Sequence, residues 1–111
     1  MMPDVLSEAR DGDNVTLVLY VPKTLGHFAG HFPGLPILPG VVQIDWAIRY
    51  ARQHFSRLAE SYGIDALKCR APVVPDTRLT LELAYDAAHS SLRFAYADPR
   101  RPVCSGTVLF R

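Results

Sequence analysis

Residues 41–60 contain neither proline nor glycine, and their apolar side chains recur at intervals of three or four, which is typical of one face of a helix. That face comprises Val41, Ile44, Ile48, Ala51, Phe55 and Leu58. The opposite face carries Asp45, Arg49, Arg52, Gln53, Ser56 and Glu60, and Gly63 follows as a stop signal. An amphipathic helix of this length requires a broad apolar surface to pack against, and a sheet provides one.

Alternating apolar residues and turn-rich breaks predict the strands of that sheet. A strand at Val15–Pro22 and a shorter one within Val5–Arg10 form a hairpin around the turn DGDN. Later strands are expected at Ala66–Ala71, Leu79–Tyr85, Leu92–Ala97 and Val103–Phe110. The pattern predicts an α+β fold in which one helix lies across an antiparallel sheet, and the 111 residues fit a single domain, 1–111.

The segment between the hairpin and the helix, Pro22–Gly40, carries four prolines and four glycines and is expected to be a long structured loop. It holds His27 and His31, each followed by a phenylalanine, and such a setting can hold an imidazole against apolar surface near its neutral form at pH 7. Packing and proton transfer are both open interpretations of this pair. His54 and His89 are expected to be surface residues.

Composition excludes several classes of function. The net charge of +1 argues against nucleic acid as a partner, and neither a signal peptide nor a membrane span is present in the sequence, so the chain is expected to be cytoplasmic. Cys69 and Cys104 lack metal-type spacing and are interpreted as small buried hydrophobic residues in a reducing compartment, with a cysteine nucleophile as the alternative. The histidine spacing lacks a third ligand, so no metal site is expected.

Three groups remain that together could act on an acyl thioester: a loop histidine, the unpaired N–H groups where Pro39-Gly40 opens the helix, and the carboxyl of Asp45. A neutral imidazole can abstract a proton α to a thioester carbonyl, an N–H can polarise that carbonyl, and a carboxyl can act on a leaving β-hydroxyl. This chemistry requires no cofactor. Spacing alone does not show that the three groups converge.

The motif F-x-G-H-F-P-G-x-P-x-x-P-G-V, Phe28–Val41, with an acid fourteen residues after its histidine, closely resembles the 3-hydroxyacyl-(acyl-carrier-protein) dehydratases, which have the hot-dog fold. RAPVVPDTRLTLEL and SGTVLF resemble later strands of the same family. The resemblance implies a curled antiparallel sheet wrapped around one long central helix. It also implies a dimer or higher homo-oligomer whose sites combine the histidine of one subunit with the acid of the other.

Carried over to this sequence, the resemblance makes His31 the base and Asp45 the acid that handles the β-hydroxyl. The backbone N–H of Gly40 becomes the donor to the thioester oxygen, with Phe32 and Val41 as further substrate-binding residues. The implied reaction converts (3R)-hydroxyacyl thioesters to trans-2-enoyl thioesters. The substrate is carried on the phosphopantetheine of an acyl carrier protein, whose arm needs a basic entrance.

The sequence departs from the family pattern in three places. Aspartate replaces the commoner glutamate, as in the branch that also isomerises the double bond, and Arg49 stands where the family usually has glutamine. Arg49 shares a helix face with Asp45, and a pair between them opposes a proton-donor role for the acid. VVPDT also lacks the glycine of the usual V-P-G-D turn.

QIDWAIRYA, with Trp46 beside the acid, resembles the small dehydratases of aryl-polyene pathways, which implies a rigid conjugated acyl chain.

Two alternatives to dehydration stay open. One is a different reaction on the same scaffold, either thioester hydrolysis or double-bond isomerisation. The other is a non-catalytic acyl-carrier-protein-binding subunit, for which Arg49 is the main argument.

Overall fold

The computed structural model describes residues 2–25 and 37–111, which form six strands and one α-helix. The strands are β1 (Asp4–Asp11), β2 (Asn14–Val21), β3 (Ser61–Cys69), β4 (Thr77–Asp86), β5 (Ser91–Ala97) and β6 (Pro102–Phe110). The helix, α1, spans Gly40–His54, and a short 3₁₀ helix, Ala87–His89, joins β4 to β5. Most of the predicted loop at 22–40 lies outside the described residues.

All six strands pair antiparallel in one sheet with the order β1-β2-β4-β5-β6-β3. The predicted hairpin is confirmed by β1 and β2, and β4, β5 and β6 follow as a meander. β3 lies at the far edge because it pairs only with β6 among the described strands. The sheet curls around α1, which confirms the predicted α+β class and the hot-dog arrangement that the resemblance implied.

One face of the sheet is apolar because buried residues alternate along its strands. Leu17 pairs with Leu81, and Leu81 pairs with Tyr96, so one row of large side chains crosses three strands. Gly106 continues the neighbouring row, where a Cβ would lie 3.2 Å from the ring of Phe94. Glycine at this position therefore lets the phenylalanine ring pack directly on the backbone of β6.

The helix differs from its prediction in length and in the face that it buries. It ends at His54, with the Phe55 N–H bonded to the carbonyl of Ala51, and β3 begins at Ser61, so Gly63 lies inside a strand instead of stopping the helix. The buried residues of the helix are Gln43, Trp46, Ala47, Tyr50 and Ala51. Val41, by contrast, is 74% exposed, and Ile44 and Ile48 are only partly buried. The apolar stripe that was expected to face the sheet therefore contributes Ala51 to the buried helix face but leaves Val41 at the surface.

In the turn before β4, Asp76 stands where the dehydratase family usually has glycine. Asp76 adopts φ +61°, a left-handed conformation that glycine takes without cost and that aspartate tolerates better than most residues. Two hydrogen bonds hold it: the Asp76 N–H donates to the carbonyl of Val21 at 2.7 Å, and the hydroxyl of Tyr20 donates to its carboxylate at 2.7 Å. Aspartate thus replaces glycine in this turn with support from β2.

The two cysteines correct another expectation. Cys69 and Cys104 face each other in the register of β3 and β6 and form a disulfide. Cys104 is 2% exposed, whereas Cys69 is exposed. The interpretation of both as unpaired buried residues is wrong because cross-strand pairing joins positions 35 residues apart, and that pairing is not visible in their spacing.

Two buried tyrosines give a matched test of the packing between helix and sheet. The hydroxyl of Tyr96 donates to the carbonyl of Gln43 at 2.6 Å, while the hydroxyl of Tyr50 has no partner in the described part of the chain. Burial raises the pKa of Tyr50 to about 12. We expect Tyr96→Phe to lower the free energy of unfolding by about 1–2 kcal/mol because a buried carbonyl loses a donor, and Tyr50→Phe to leave it nearly unchanged. Denaturant unfolding of the two variants measures the difference, and equal losses would contradict it.

Candidate active site

The site is organised by the first turn of α1. Pro39 precedes the helix in an extended conformation, and its carbonyl accepts the N–H groups of Val42 at 3.1 Å and Gln43 at 3.3 Å. The N–H groups of Gly40 and Val41 have no acceptor among the described residues, and no side chain caps this end. Unpaired N–H groups at the positive end of a helix dipole stabilise an oxygen that carries negative charge.

A cleft of about 330 Å³ opens beside this turn. Ile37, Leu38, Gly40 and Gln43 line one side, and residues 69–72 line the other. Two links hold the walls together: the Leu38 N–H donates to the carbonyl of Val73 at 2.8 Å, and the Arg70 N–H donates to that of Val103 at 2.7 Å. A Cβ on Gly40 would lie 3.7 Å from the sulfur of Cys69, which is ordinary contact, so packing in the described residues does not require glycine here. Its lack of a side chain instead leaves the backbone open to the cleft.

Gln43 is the one buried polar or charged residue among those described. It is 3% exposed, it lines the cleft, and its Oε1 has no hydrogen-bond partner in the described part of the chain. Gln43 is not among the site residues that the sequence predicts. Glutamine at a helix position flanked by apolar residues was the available signal, but the periodicity placed the buried face one position away.

Asp45 lies outside this cleft. Its side chain is 54% exposed, and its carboxylate accepts a hydrogen bond from the Arg49 Nε at 2.8 Å in an i, i+4 ion pair. The expected pairing of Asp45 with Arg49 is therefore present. Within one chain, the structure does not bring Asp45 to the cleft that Gly40 lines. Val41 also projects to the surface, and Ile44 and Ile48 continue an apolar stripe beside Asp45.

The remaining candidate side chains lie outside the described residues or away from the cleft. His27, His31 and Phe32 belong to residues 26–36, which are not described. Within 2–25 and 37–111, no group of three His, Cys, Asp or Glu side chains could hold a metal ion. No described helix is long and apolar enough to cross a membrane.

The two other histidines make structural hydrogen bonds to carboxylates. His89 is exposed, as expected, and its hydrogen bond to Asp86 at 2.7 Å lowers the pKa of that carboxyl. His54 is a correction: its side chain is only 16% exposed and lies 2.5 Å from the carboxylate of Glu8, while the Arg10 guanidinium donates to the His54 carbonyl at 2.6 Å. This cluster joins the end of α1 to the edge strand β1.

A larger cleft of about 550 Å³ crosses the outer face of the sheet. Its lining combines Lys68, Glu82 and Arg93 with small side chains and includes none of the predicted site residues. We place the candidate site at the smaller cleft because Gly40, at the start of the helix, and Gln43, whose Oε1 has no partner among the described residues, both line it.

The described residues combine two features: a curled antiparallel sheet around one helix, and a cleft at the first turn of that helix. Residues 7–107 match the ApeI-like family, described as ApeI dehydratase. The chain belongs to this family.

Curated relatives are 3-hydroxyacyl-(acyl-carrier-protein) dehydratases called FabZ. The chain is 32% identical to the protein of Desulforamulus reducens in an alignment of length 90 that covers 75% of this chain and 63% of that protein. It is 30% identical to the Oenococcus oeni protein in an alignment of length 121 that covers 99% of this chain and 86% of that protein. The chain thus spans slightly less than two-thirds of the Desulforamulus relative.

Two solved structures superpose over nearly their whole length. The dehydratase heterocomplex ApeI:P from Xenorhabdus doucetiae aligns with a TM-score of 0.93 at 30% identity, covering 100% of both chains. An uncharacterised protein from Erwinia carotovora subsp. atroseptica aligns with a TM-score of 0.89 at 32% identity, covering 100% of this chain and 97% of that one. These structures confirm the hot-dog fold of the dehydratase family.

Proposed function

We propose that this protein dehydrates (3R)-hydroxyacyl thioesters, carried by an acyl carrier protein, to trans-2-enoyl thioesters. Membership of the ApeI-like dehydratase family and similarity to FabZ enzymes support the reaction type. The observation that carries the proposal is the cleft at the start of α1, which is lined by Gly40, whose N–H group has no acceptor among the described residues. The N-terminus of a helix stabilises an oxygen that gains negative charge, as the thioester oxygen does during this reaction.

The reaction divides among three groups. The thioester oxygen accepts the N–H of Gly40, which makes the α-hydrogen more acidic. His31, as a neutral imidazole, takes the proton from the α-carbon, and the electron pair of that C–H bond forms the double bond. The bond between the β-carbon and its hydroxyl breaks, and the hydroxyl leaves as water after receiving a proton at the Asp45 carboxyl. The proton held by His31 restores the acid through solvent, so no cofactor is consumed.

Asp45 acts in this scheme on a neighbouring subunit. Its exposed position and the apolar stripe of Val41, Ile44 and Ile48 beside it fit a second chain packed on this face of α1. The edge strand β3 also exposes apolar side chains, those of Tyr62, Ile64 and Leu67. We propose a homodimer that uses both surfaces and whose two sites are each completed by the other chain. The ApeI of the solved heterocomplex is described with a different partner, so a second kind of subunit is the competing assembly.

The carrier-bound substrate of this proposal would be met in the cytoplasm, and we propose that the protein works there beside its carrier. A basic side chain at the cleft can meet the phosphate of the carrier's phosphopantetheine arm. Arg70 lines the cleft and is exposed, and no acidic partner is recorded for it among the described residues. Phe32 and Val41 are proposed to contact the acyl chain near the thioester.

The direct test is mass spectrometry of purified protein incubated with 3-hydroxyacyl-carrier protein over a panel of saturated and polyenoic chains. We expect loss of one water from the acyl group while the acyl group stays attached. Release of free acid would identify a thioesterase, and an unchanged acyl mass with every substrate would contradict dehydration. Preference for polyenoic chains would support the aryl-polyene type of substrate.

A second candidate function is a non-catalytic acyl-carrier-protein-binding subunit. The ion pair between Asp45 and Arg49 favours it because a paired carboxylate is a poor proton donor. A tight complex with acyl-carrier protein and no turnover by the purified chain, alone or mixed with a partner subunit, would support this function over dehydration.

A further inference from the structure

We infer that Gln43 is a substrate-binding residue whose Oε1 accepts a hydrogen bond from an O–H or N–H donor of the acyl-thioester ligand in the cleft. This inference rests on the proposed function, since it assigns a role to a residue of the same site. The observation behind it is that the Gln43 Oε1 accepts no hydrogen bond within the described part of the chain.

Burying an amide oxygen without a donor is costly, and folded proteins rarely leave such a group unpaired. Gln43 is 3% exposed, and its Oε1 has no partner in the parts of the chain that the structure describes. Its neighbours on the buried face of the helix, Trp46 and Ala47, belong to the apolar core. A leucine or methionine would fill such a position without the unpaired oxygen, so the glutamine needs a reason other than packing.

The position of the side chain supplies that reason. Gln43 lies three residues after Gly40, and both residues line the same cleft. Helical side chains lean toward the N-terminus, so Gln43 covers the turn that contains Gly40, whose N–H is proposed to bind the thioester oxygen. The backbone carbonyl of Gln43 is anchored by the hydroxyl of Tyr96, which fixes the residue against β5.

The thioester offers two donors near its carbonyl. One is the β-hydroxyl, two carbons from the carbonyl carbon, and the other is the first amide N–H of the pantetheine arm. Both present the chemistry that an unpaired amide oxygen needs. Both also lie within a few bonds of the oxygen that Gly40 would hold.

The experiment compares Gln43→Met with Gln53→Met, which makes the same chemical change at an exposed position of the same helix. Binding of 3-hydroxyoctanoyl-pantetheine and octanoyl-pantetheine is measured by calorimetry, and kcat and KM are measured with the hydroxyacyl carrier substrate. We expect Gln43→Met to weaken hydroxyacyl binding by about 3–10-fold, the usual effect of one neutral hydrogen bond, and Gln53→Met to leave it unchanged. Weakening of the hydroxyacyl ligand alone assigns the donor to the β-hydroxyl, whereas weakening of both ligands assigns it to the amide.

Thermal unfolding separates ligand binding from a structural role. Because the oxygen is unpaired in the folded chain, Gln43→Met should unfold at the same or a higher temperature than the unmodified protein. A clear loss of stability, or unchanged affinity for both ligands, would overturn the inference. Failure of the unmodified protein to dehydrate any substrate would instead contradict the proposed function, and the two binding measurements would still test Gln43.

Discussion

Replacing His31 with alanine is expected to lower kcat for 3-hydroxyacyl thioesters by about a thousandfold, because a positioned general base contributes roughly 10²–10⁴ to a proton-transfer step. The imidazole is the one group in the proposed mechanism that can take the α-proton at neutral pH. KM should change little, since the thioester oxygen and the acyl chain are held elsewhere. Steady-state kinetics with hydroxyacyl-carrier protein measures both parameters.

His27→Ala is the matched control because it removes the same side chain from the same segment, four residues earlier. We expect it to leave kcat close to that of the unmodified protein. A circular dichroism spectrum identical to that of the parent is required of both variants. Full activity in His31→Ala, or equal losses in both variants, would remove His31 from the mechanism.

The sequence predicted the sheet better than the helix for a physical reason. Strict alternation in LTLELAY and in residues 15–21 sets one face of each strand, and the structure buries those faces. The helix carries two overlapping apolar stripes, one through Trp46 and Tyr50 and one through Val41 and Ile48. Periodicity detects both stripes equally, and only packing against β4 and β5 decides that the first is buried within the chain.

The site was predicted in part for a similar reason. Pro39-Gly40 marks the helix start from local chemistry alone, and the structure places it there. Gln43 and the Cys69–Cys104 disulfide depend on contacts between residues far apart in sequence, which residue types and spacing do not contain. Asp45 is intermediate: its pair with Arg49 follows from i, i+4 spacing, whereas its distance from the cleft follows from the orientation of the whole helix.

Because α1 turns Asp45 away from the cleft of its own chain, the mechanism depends on which chain's site this carboxyl serves. Asp45→Asn is expected to reduce turnover by about 10²–10⁴-fold if the acid handles the hydroxyl. A loss of activity alone would not show which chain the acid serves. Arg49→Gln, which introduces the residue usual in the wider family, is expected to keep activity or raise it, because the carboxyl is then released from its ion pair.

Heterodimers decide between a shared site and a site within one chain. Co-expression of His31→Ala and Asp45→Asn chains with different tags, followed by purification on both tags, yields dimers with one variant of each kind. If each site combines His31 of one chain with Asp45 of the other, one of the two sites is intact, and we expect about half of the unmodified turnover.

The inverse pairing makes the opposite prediction. An unmodified chain joined to a chain that carries both substitutions should be inactive with shared sites, because each site then lacks one group. Sites formed within single chains would reverse both results: the first dimer would be inactive, and the second would keep about half of its turnover. The exposed side chains of Asp45 and Val41, with the partly buried Ile44 and Ile48 beside them, lead us to expect activity in the first dimer only.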